Sequence, residues 1–348
     1  MNALVTGGFG FIGSHLCERL LRDGHHVTVI DDLSTGRLEN LAHLSGHLRL
    51  RCLIDTIRNK ELMETLVAAS DTVFHLAAVV GVRSVLQDPL RCLEVNIRGT
   101  DMLLELAAKR GVKVLLASSS EIYGKNGSGP VAEGSNRLLG PTTITRWIYS
   151  TTKAVDEYLA LSYWNSSRLP VVIMRFFNTV GPRQTGRYGM VLPNFVQQAL
   201  SNRPITVYGD GKQIRTFTHV FDAVNAVVAL AEHPQAVGQI FNVGGVEPVS
   251  IADLAERVKR LAESQSPIEF LPYAEVYGEG FEDLASRVPD ISKLRLLAGY
   301  EPAHRLDDMI RDTIAYFRAQ QDGRSPIVKV PLALSGTPAG EEDRCRGR

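Results

Sequence analysis

Tyr149 and Lys153, in the run Tyr149-Ser150-Thr151-Thr152-Lys153, have the types and spacing for acid–base chemistry. Residues one helical turn apart share a face, so the ammonium can sit near the phenol and favour phenolate. A free phenol titrates near ~10 and is a poor base at neutral pH, so Lys153 is expected to lower the pKa of Tyr149. Upstream, Ser118-Ser119-Ser120-Glu121-Ile122-Tyr123-Gly124 supplies a hydroxyl for the pair to work with. Tyr149 can then take a proton from a substrate hydroxyl while hydride leaves the same carbon. On its own the pair also reads as an exposed helix tyrosine beside a solvated lysine, and the surrounding elements decide between the two.

The N-terminal segment offers a place for a hydride acceptor. A strand, Ala3-Leu4-Val5-Thr6, runs into Gly7-Gly8-Phe9-Gly10-Phe11-Ile12-Gly13 and on into the helical pattern Ser14 to Leu21. Gly7, Gly10 and Gly13 allow a tight turn, close backbone approach to a pyrophosphate and close helix packing, with the helix N-terminus facing the anion. A second strand, His26-Val27-Thr28-Val29-Ile30, ends in Asp31, where an acid binds adenosine ribose hydroxyls and repels a 2′-phosphate. NAD is therefore favoured over NADP, although Arg37 sits nearby. The positive ring of oxidised nicotinamide would add to the effect of Lys153 on Tyr149.

The 348 residues are 44% hydrophobic, which suits one large or two medium domains with an ample core. Lys plus Arg and Asp plus Glu number 38 each, so no net field draws a nucleic acid. No charged leader and no apolar run of about 18 residues is present, so we expect no membrane partner and a soluble, cytoplasmic protein. Cys17, Cys52, Cys92 and Cys345 have no metal-ligand spacing; we expect reduced, mostly buried thiols and no metal.

Strands and helices alternate to about residue 175, with strands near Leu48–Arg51, Thr72–Leu76, Lys113–Ala117 and Val171–Arg175. That rhythm predicts an α/β fold, a Rossmann-type doubly wound parallel sheet with a smaller C-terminal α/β substrate domain. The expected boundaries are 1–176 plus about 216–247 for the NAD-binding domain and 177–215 plus 248–318 for the substrate domain. Late helices are expected near Ile251–Glu263 and Leu306–Gln320, and a disordered tail over 319–348. The helical patterns Leu93–Lys109 and Tyr149–Tyr163 are apolar on more than one side, which suits packing against a twin.

These motifs resemble the extended short-chain dehydrogenases/reductases of the nucleotide-sugar epimerase, dehydratase and decarboxylase group, over roughly residues 1 to 318. Besides the runs above, the likeness rests on Phe74-His75-Leu76-Ala77-Ala78, Asn96 with Gly99-Thr100, Arg175-Phe176-Phe177-Asn178, Gly209-Asp210-Gly211 before Arg215, and Arg287-Val288-Pro289-Asp290. The resemblance implies Ser119, Tyr149 and Lys153 as the catalytic set. It implies NAD contacts at Gly7, Gly10, Phe11, Ile12, Gly13, Asp31, Asp32, Gly36, Asp55, Leu76, Ala77, Ala78, Asn96, Tyr149 and Lys153. It further implies UDP-sugar contacts at Val80, Ser120, Glu121, Asn178, Leu192, Thr206, Tyr208, Arg215 and Arg287, and a homodimer. Plainer roles stay open: Ser119, Ser120 and Asn178 can shape turns, and Arg215 and Arg287 can make surface ion pairs. His75 reads as a packed structural residue.

Within that group all members begin by oxidising carbon 4 of the hexose. Ser120 stands where a 4,6-dehydratase would need an acid, so that reaction ranks low. Ser119-Ser120-Glu121, Arg146-Trp147-Ile148-Tyr149 and Tyr277-Gly278-Glu279-Gly280 ahead of Arg287 resemble the UDP-glucuronate decarboxylases. The loop Gly181 to Gly189 and the chain as a whole resemble the UDP-glucuronate 4-epimerases of moenomycin-type antibiotic biosynthesis. We expect an NAD-dependent isomerase of UDP-glucuronate and UDP-galacturonate, in which Arg187, or failing that Arg183, clamps the sugar carboxylate. The alternatives are UDP-glucuronate decarboxylation, 4-epimerisation of UDP-glucose or UDP-N-acetylglucosamine, and a non-catalytic NAD or sugar-nucleotide sensor.

Overall fold

The structure, a computed structural model, describes residues 1–126, 129–186, 189–277 and 282–323. Its centre is a parallel sheet of seven strands, β1 (Asn2–Thr6), β2 (His26–Asp31), β3 (Leu50–Ile54), β4 (Thr72–His75), β5 (Lys113–Ser119), β6 (Val171–Phe176) and β7 (Gln239–Val243). They lie in the order β7-β6-β5-β4-β1-β2-β3, so the winding reverses between β4 and β1, where an open α/β sheet forms its ligand crevice.

Successive strand residues point to opposite faces, and both faces here are buried. Ala3 and Val5 of β1 join one core with Leu16 and Leu20 of α1 (Phe11–Arg22), while Leu4 joins the other with Met63 of α2 (Lys60–Ala68), Leu103 of α3 (Gly99–Arg110) and Ala160 of α4 (Trp147–Ser167). A separate core unites α5 (Val191–Leu200), α7 (Ile251–Ala262) and α8 (Leu306–Gln321) through Leu192, Val196, Leu254, Val258, Ile310 and Ile314. Between α5 and α7 in the chain, α6 (Val220–Glu232) returns to the first core through Val224 and Val227 and is followed by β7.

Several expected boundaries move. β3 begins at Leu50 because a turn, in which Leu50 N–H donates to the His47 carbonyl at 2.9 Å, leaves Leu48 fully exposed. The helical pattern from Leu93 is not continuous: a short helix (Pro89–Leu93) passes through a π-turn (Glu94–Arg98) into α3. Residues 319–321 complete α8 and are not tail; residues 324–348 of the expected tail lie outside the described residues. Among the described residues no helix is long and apolar enough to cross a membrane.

Candidate active site

β1 delivers the chain into the glycine turn, and α1 starts at Phe11 with Gly10 as an N-cap that makes no side-chain bond. No acid sits in the first turn, so the bare N–H groups suit an anion. Gly7 has φ +72°, and a Cβ there would lie 2.9 Å from the Ala77 nitrogen; one at Gly13 would lie 2.2 Å from the Gly7 carbonyl oxygen. Only glycine fits either place. Asp31, at the end of β2, accepts the Phe9 N–H at 3.0 Å and the Leu33 N–H at 2.8 Å, so its carboxylate fixes the turn from behind. Burial pushes the Asp31 carboxyl up, and these two amides pull against that rise.

Asp32 pairs with Arg91 at 3.2 Å, and Asp55 accepts Thr56 N–H at 2.7 Å and the Asn59 amide at 2.9 Å. Both aspartates line one cleft of about 720 Å³ together with Phe11, Ile12, Leu76, Ala77, Ala78 and Val80. Two expected cofactor contacts stand behind that wall. A Cβ at Gly36 would lie 2.9 Å from the Asp31 carboxylate oxygens, so Gly36 makes room for Asp31. The π-turn aims Asn96 inward, where it accepts from Val79 N–H at 2.8 Å, donates to the Val79 carbonyl at 3.2 Å and donates to Thr152 Oγ1 at 3.1 Å. Asn96 therefore braces the loop after β4. His75 is buried between Thr6 Oγ1 at 2.8 Å and Thr100 Oγ1 at 3.0 Å, and burial with the Lys153 charge drives it down to about 3. It is a neutral packing group.

Ser119 ends β5, and its Oγ accepts the Glu121 N–H at 3.2 Å. α4 carries Tyr149 and Lys153 beside it. Burial of the phenol raises the Tyr149 pKa above its ordinary value; the Lys153 charge pulls it down, as expected, and so does a hydrogen bond with Ser119, but burial outweighs them. Sequence spacing places the cation but carries no information on how deeply the phenol is buried. Lys153 is raised as well; burial lowers it, and Asp156, to which the ammonium donates at 3.1 Å, leads the groups that outweigh burial, followed by Tyr149.

The far end of the cleft is a field of paired charges. Glu121 Oε2 accepts from Arg146 at 2.8 Å and Oε1 from Arg287 at 2.8 Å. Burial alone would raise the Glu121 carboxyl, but Arg287, Arg146 and Arg215 together hold it at about 2. Arg287 also donates to Ser120 Oγ at 3.3 Å. Arg287 lies opposite Arg215 in the parallel pairing of Ser286–Arg287 with Ile214–Thr216. Burial and the Arg287 charge push Arg215 down to about 10 although it reaches Asp283 at 3.2 Å. Asp283 also takes the Tyr273 hydroxyl at 2.6 Å and Arg146 at 3.3 Å.

Leu192, Thr206, Tyr208 and Asn178 line the same cleft; Asn178 donates to the Thr216 carbonyl at 2.7 Å, and Thr206 Oγ1 accepts from Gln198 at 2.8 Å. Arg183 turns to α1, where it pairs with Glu18 and reaches Ser14 Oγ at 3.3 Å. Arg187 lies outside the described residues.

Sequence reasoning gave no role to the polar layer behind the site. Arg175 holds Glu157 with two bonds, at 2.8 and 2.7 Å, and donates to Tyr123 Oη at 2.8 Å; Ser118 donates to Glu157 at 2.6 Å. Glu157 lies one turn beyond Lys153, so the helical spacing that singled out Tyr149 and Lys153 could have found it.

A glycine cradle on a bare helix terminus, an acid at the end of β2 and a buried Tyr–Lys pair facing a serine define a dinucleotide-dependent enzyme of short-chain dehydrogenase type. Comparison with known proteins agrees. Residues 3–244 match the model of the NAD dependent epimerase/dehydratase family. The UDP-N-acetyl-alpha-D-glucosaminuronate decarboxylase of Bacillus cytotoxicus is 40% identical over 316 residues, spanning 90% of this chain and 97% of that protein. UDP-glucuronic acid decarboxylase 1 of Xenopus tropicalis is 37% identical over 331 residues, 94% of this chain and 75% of its own. Among solved structures, UDP-glucuronic acid 4-epimerase from Bacillus cereus with UDP-glucuronic acid and NAD superposes with a TM-score of 0.83 at 31% identity, covering 92% of this chain and 100% of that one. The chain belongs to the NAD-dependent epimerase/dehydratase family, and its cofactor is NAD.

Proposed function

We propose that the protein is a UDP-hexuronate 4-epimerase interconverting UDP-glucuronate and UDP-galacturonate. The observation that carries this reading is the state of Glu121. A 4-keto-uronate is a β-keto acid, and its decarboxylation leaves an enolate that must be protonated at carbon 5. Glu121 is the acidic side chain that lines the cleft beside Ser119, and its two guanidinium partners hold it ionised, which suits it poorly to donating that proton. The remaining groups are those that oxidation and re-reduction at carbon 4 require.

Gly7, Gly10, Phe11, Ile12 and Gly13 would hold the pyrophosphate of NAD at the start of α1, and Asp31, Asp32 and Asp55 would face its adenosine half, with Leu76, Ala77 and Ala78 along the cleft. Bound NAD supplies a hydride acceptor and, later, a hydride donor. Tyr149 takes the proton of the sugar hydroxyl, shares it with Ser119, and returns it after the ketone has presented its other face. Lys153 stabilises the phenolate. Arg215, Arg287 and Asn178 would bind the diphosphate, where forked donors suit oxyanions, and Tyr208, Thr206 and Leu192 would bound the uridine half. Arg187 is our candidate for the clamp that keeps the carboxylate near the ring plane. The cores around β1–β7 and around α5, α7 and α8 would divide the work between NAD and UDP-sugar, and a homodimer would form through α3 and α4, where Tyr158 is 64% exposed.

Decarboxylation is the second reading, favoured by the names of the two relatives and by the Glu121–Arg287 pair. Incubating the purified protein with UDP-glucuronate, without added NAD, and following products by proton NMR is expected to give UDP-galacturonate. UDP-xylose or a 4-keto-pentose would sink the epimerase reading, and no turnover with bound NAD intact would favour a sensor. Glu121→Gln is expected still to yield the epimer and no pentose. A variant that binds UDP-glucuronate normally but has lost all chemistry would give Glu121 a part in the oxidation at carbon 4 itself.

A further inference from the structure

Lys153 rests on a carboxylate that its work at Tyr149 leaves unexplained. α4 places Asp156 one turn beyond Lys153 and Tyr149 one turn before it. The ammonium donates to Asp156 Oδ2 at 3.1 Å, with the lysine side chain 3% and the aspartate side chain 0% exposed. A charge so deep is costly unless paired. The other groups facing Lys153 do not pair with it. His75 on β4 sits near 3 and is neutral, the Cys92 thiol is pushed up to about 11, and Tyr149 is the group to be ionised. Glu157, next to Asp156, is taken by Arg175 and Ser118. The Thr100 hydroxyl faces Asp156 from α3 and also meets His75.

We infer that Asp156 is a positioning residue of the reaction: it keeps the buried Lys153 ammonium charged and anchored within reach of Tyr149, and so sets how readily the phenol gives up its proton. The direction follows from the surroundings. Burial is the largest influence on both groups, disfavouring the lysine cation and the tyrosine phenolate alike, and Asp156 is the largest force that opposes it at Lys153. Removing its charge leaves burial to neutralise the lysine, and Tyr149 then loses its cation. The inference holds for any sugar oxidised at this triad and does not depend on the epimerase reading.

The test uses the purified holoenzyme without substrate. Phenolate absorbance is titrated in the parent and in Asp156→Asn, and the Tyr149 contribution is isolated by subtracting the matching Tyr149→Phe protein in each background. Asp156→Asn is expected to move the Tyr149 titration to higher pH by about one unit or more, tenfold less phenolate at a given pH. A titration that stays in place or moves to lower pH would overturn the inference, whatever the variant does to melting temperature. If Asp156→Asn does not fold, Asp156→Glu, which keeps the charge, must titrate within about half a unit of the parent; a larger rise overturns it equally.

Discussion

Tyr149→Phe is expected to lower turnover of the UDP-sugar by about 10²–10⁴-fold, the range that positioned acid–base groups supply. The change deletes one oxygen and keeps the ring, so packing in α4 and the glycine cradle on α1 are untouched. The variant should therefore fold, retain NAD and bind the sugar nucleotide with little change in Kd. The phenol has to lose a proton from a buried place that holds its pKa above the ordinary value, and Ser119 and Lys153 are the groups that help it do so. Turnover on the rising side of the profile should thus increase with pH, and that increase should vanish in the variant. Turnover above a tenth of the parent's, measured by NMR at saturating substrate, would remove Tyr149 from the centre of the reaction.

The second large effect is on stability. Glu157→Gln is expected to destabilise the fold by about 3–5 kcal/mol, the usual result of removing one partner of a buried ion pair. Arg175 and Glu157 are 7% and 5% exposed and joined by two bonds, and the same guanidinium carries Tyr123. The substitution leaves Arg175 charged and buried among groups that cannot replace the carboxylate. Urea denaturation should show the midpoint falling, and Glu157→Gln combined with Arg175→Met should recover much of the loss, since no charge is then stranded. A midpoint unchanged in the single variant would mean that the pair contributes nothing net.

What could be read before the structure was what is local. Gly7, Gly10, Gly13 and Asp31 announce themselves because a turn, a helix start and a strand end lie within one βαβ stretch. Tyr149 and Lys153 do so through a single helical turn. The structure gathers Glu121, Arg146 and Arg287 at 2.8 Å from stretches far apart in the chain, and no periodicity encodes that meeting. The resemblance puts Asn96 at the cofactor, whereas a π-turn that no periodicity reveals holds it against Val79. The net shift of Tyr149 is hidden for a related reason: the lowering by a nearby cation is legible, while the depth of burial that outweighs it is a property of the whole fold.

The strand pairing that sets Arg287 against Arg215 has a further consequence. Paired residues on neighbouring strands are about 4.8 Å apart, and a slip of one residue turns each side chain to the opposite face. The backbone therefore sets the two arginines side by side on one face, from which Arg287 reaches Glu121 and Arg215 reaches Asp283. Such a register can shift only by whole residues. One residue inserted or deleted between Asp283 and Ser286 would throw Arg287 out of the cleft and free Glu121 from one of its two guanidiniums, so drift in that short connection is a more abrupt route to a changed reaction than any exchange of the arginines themselves.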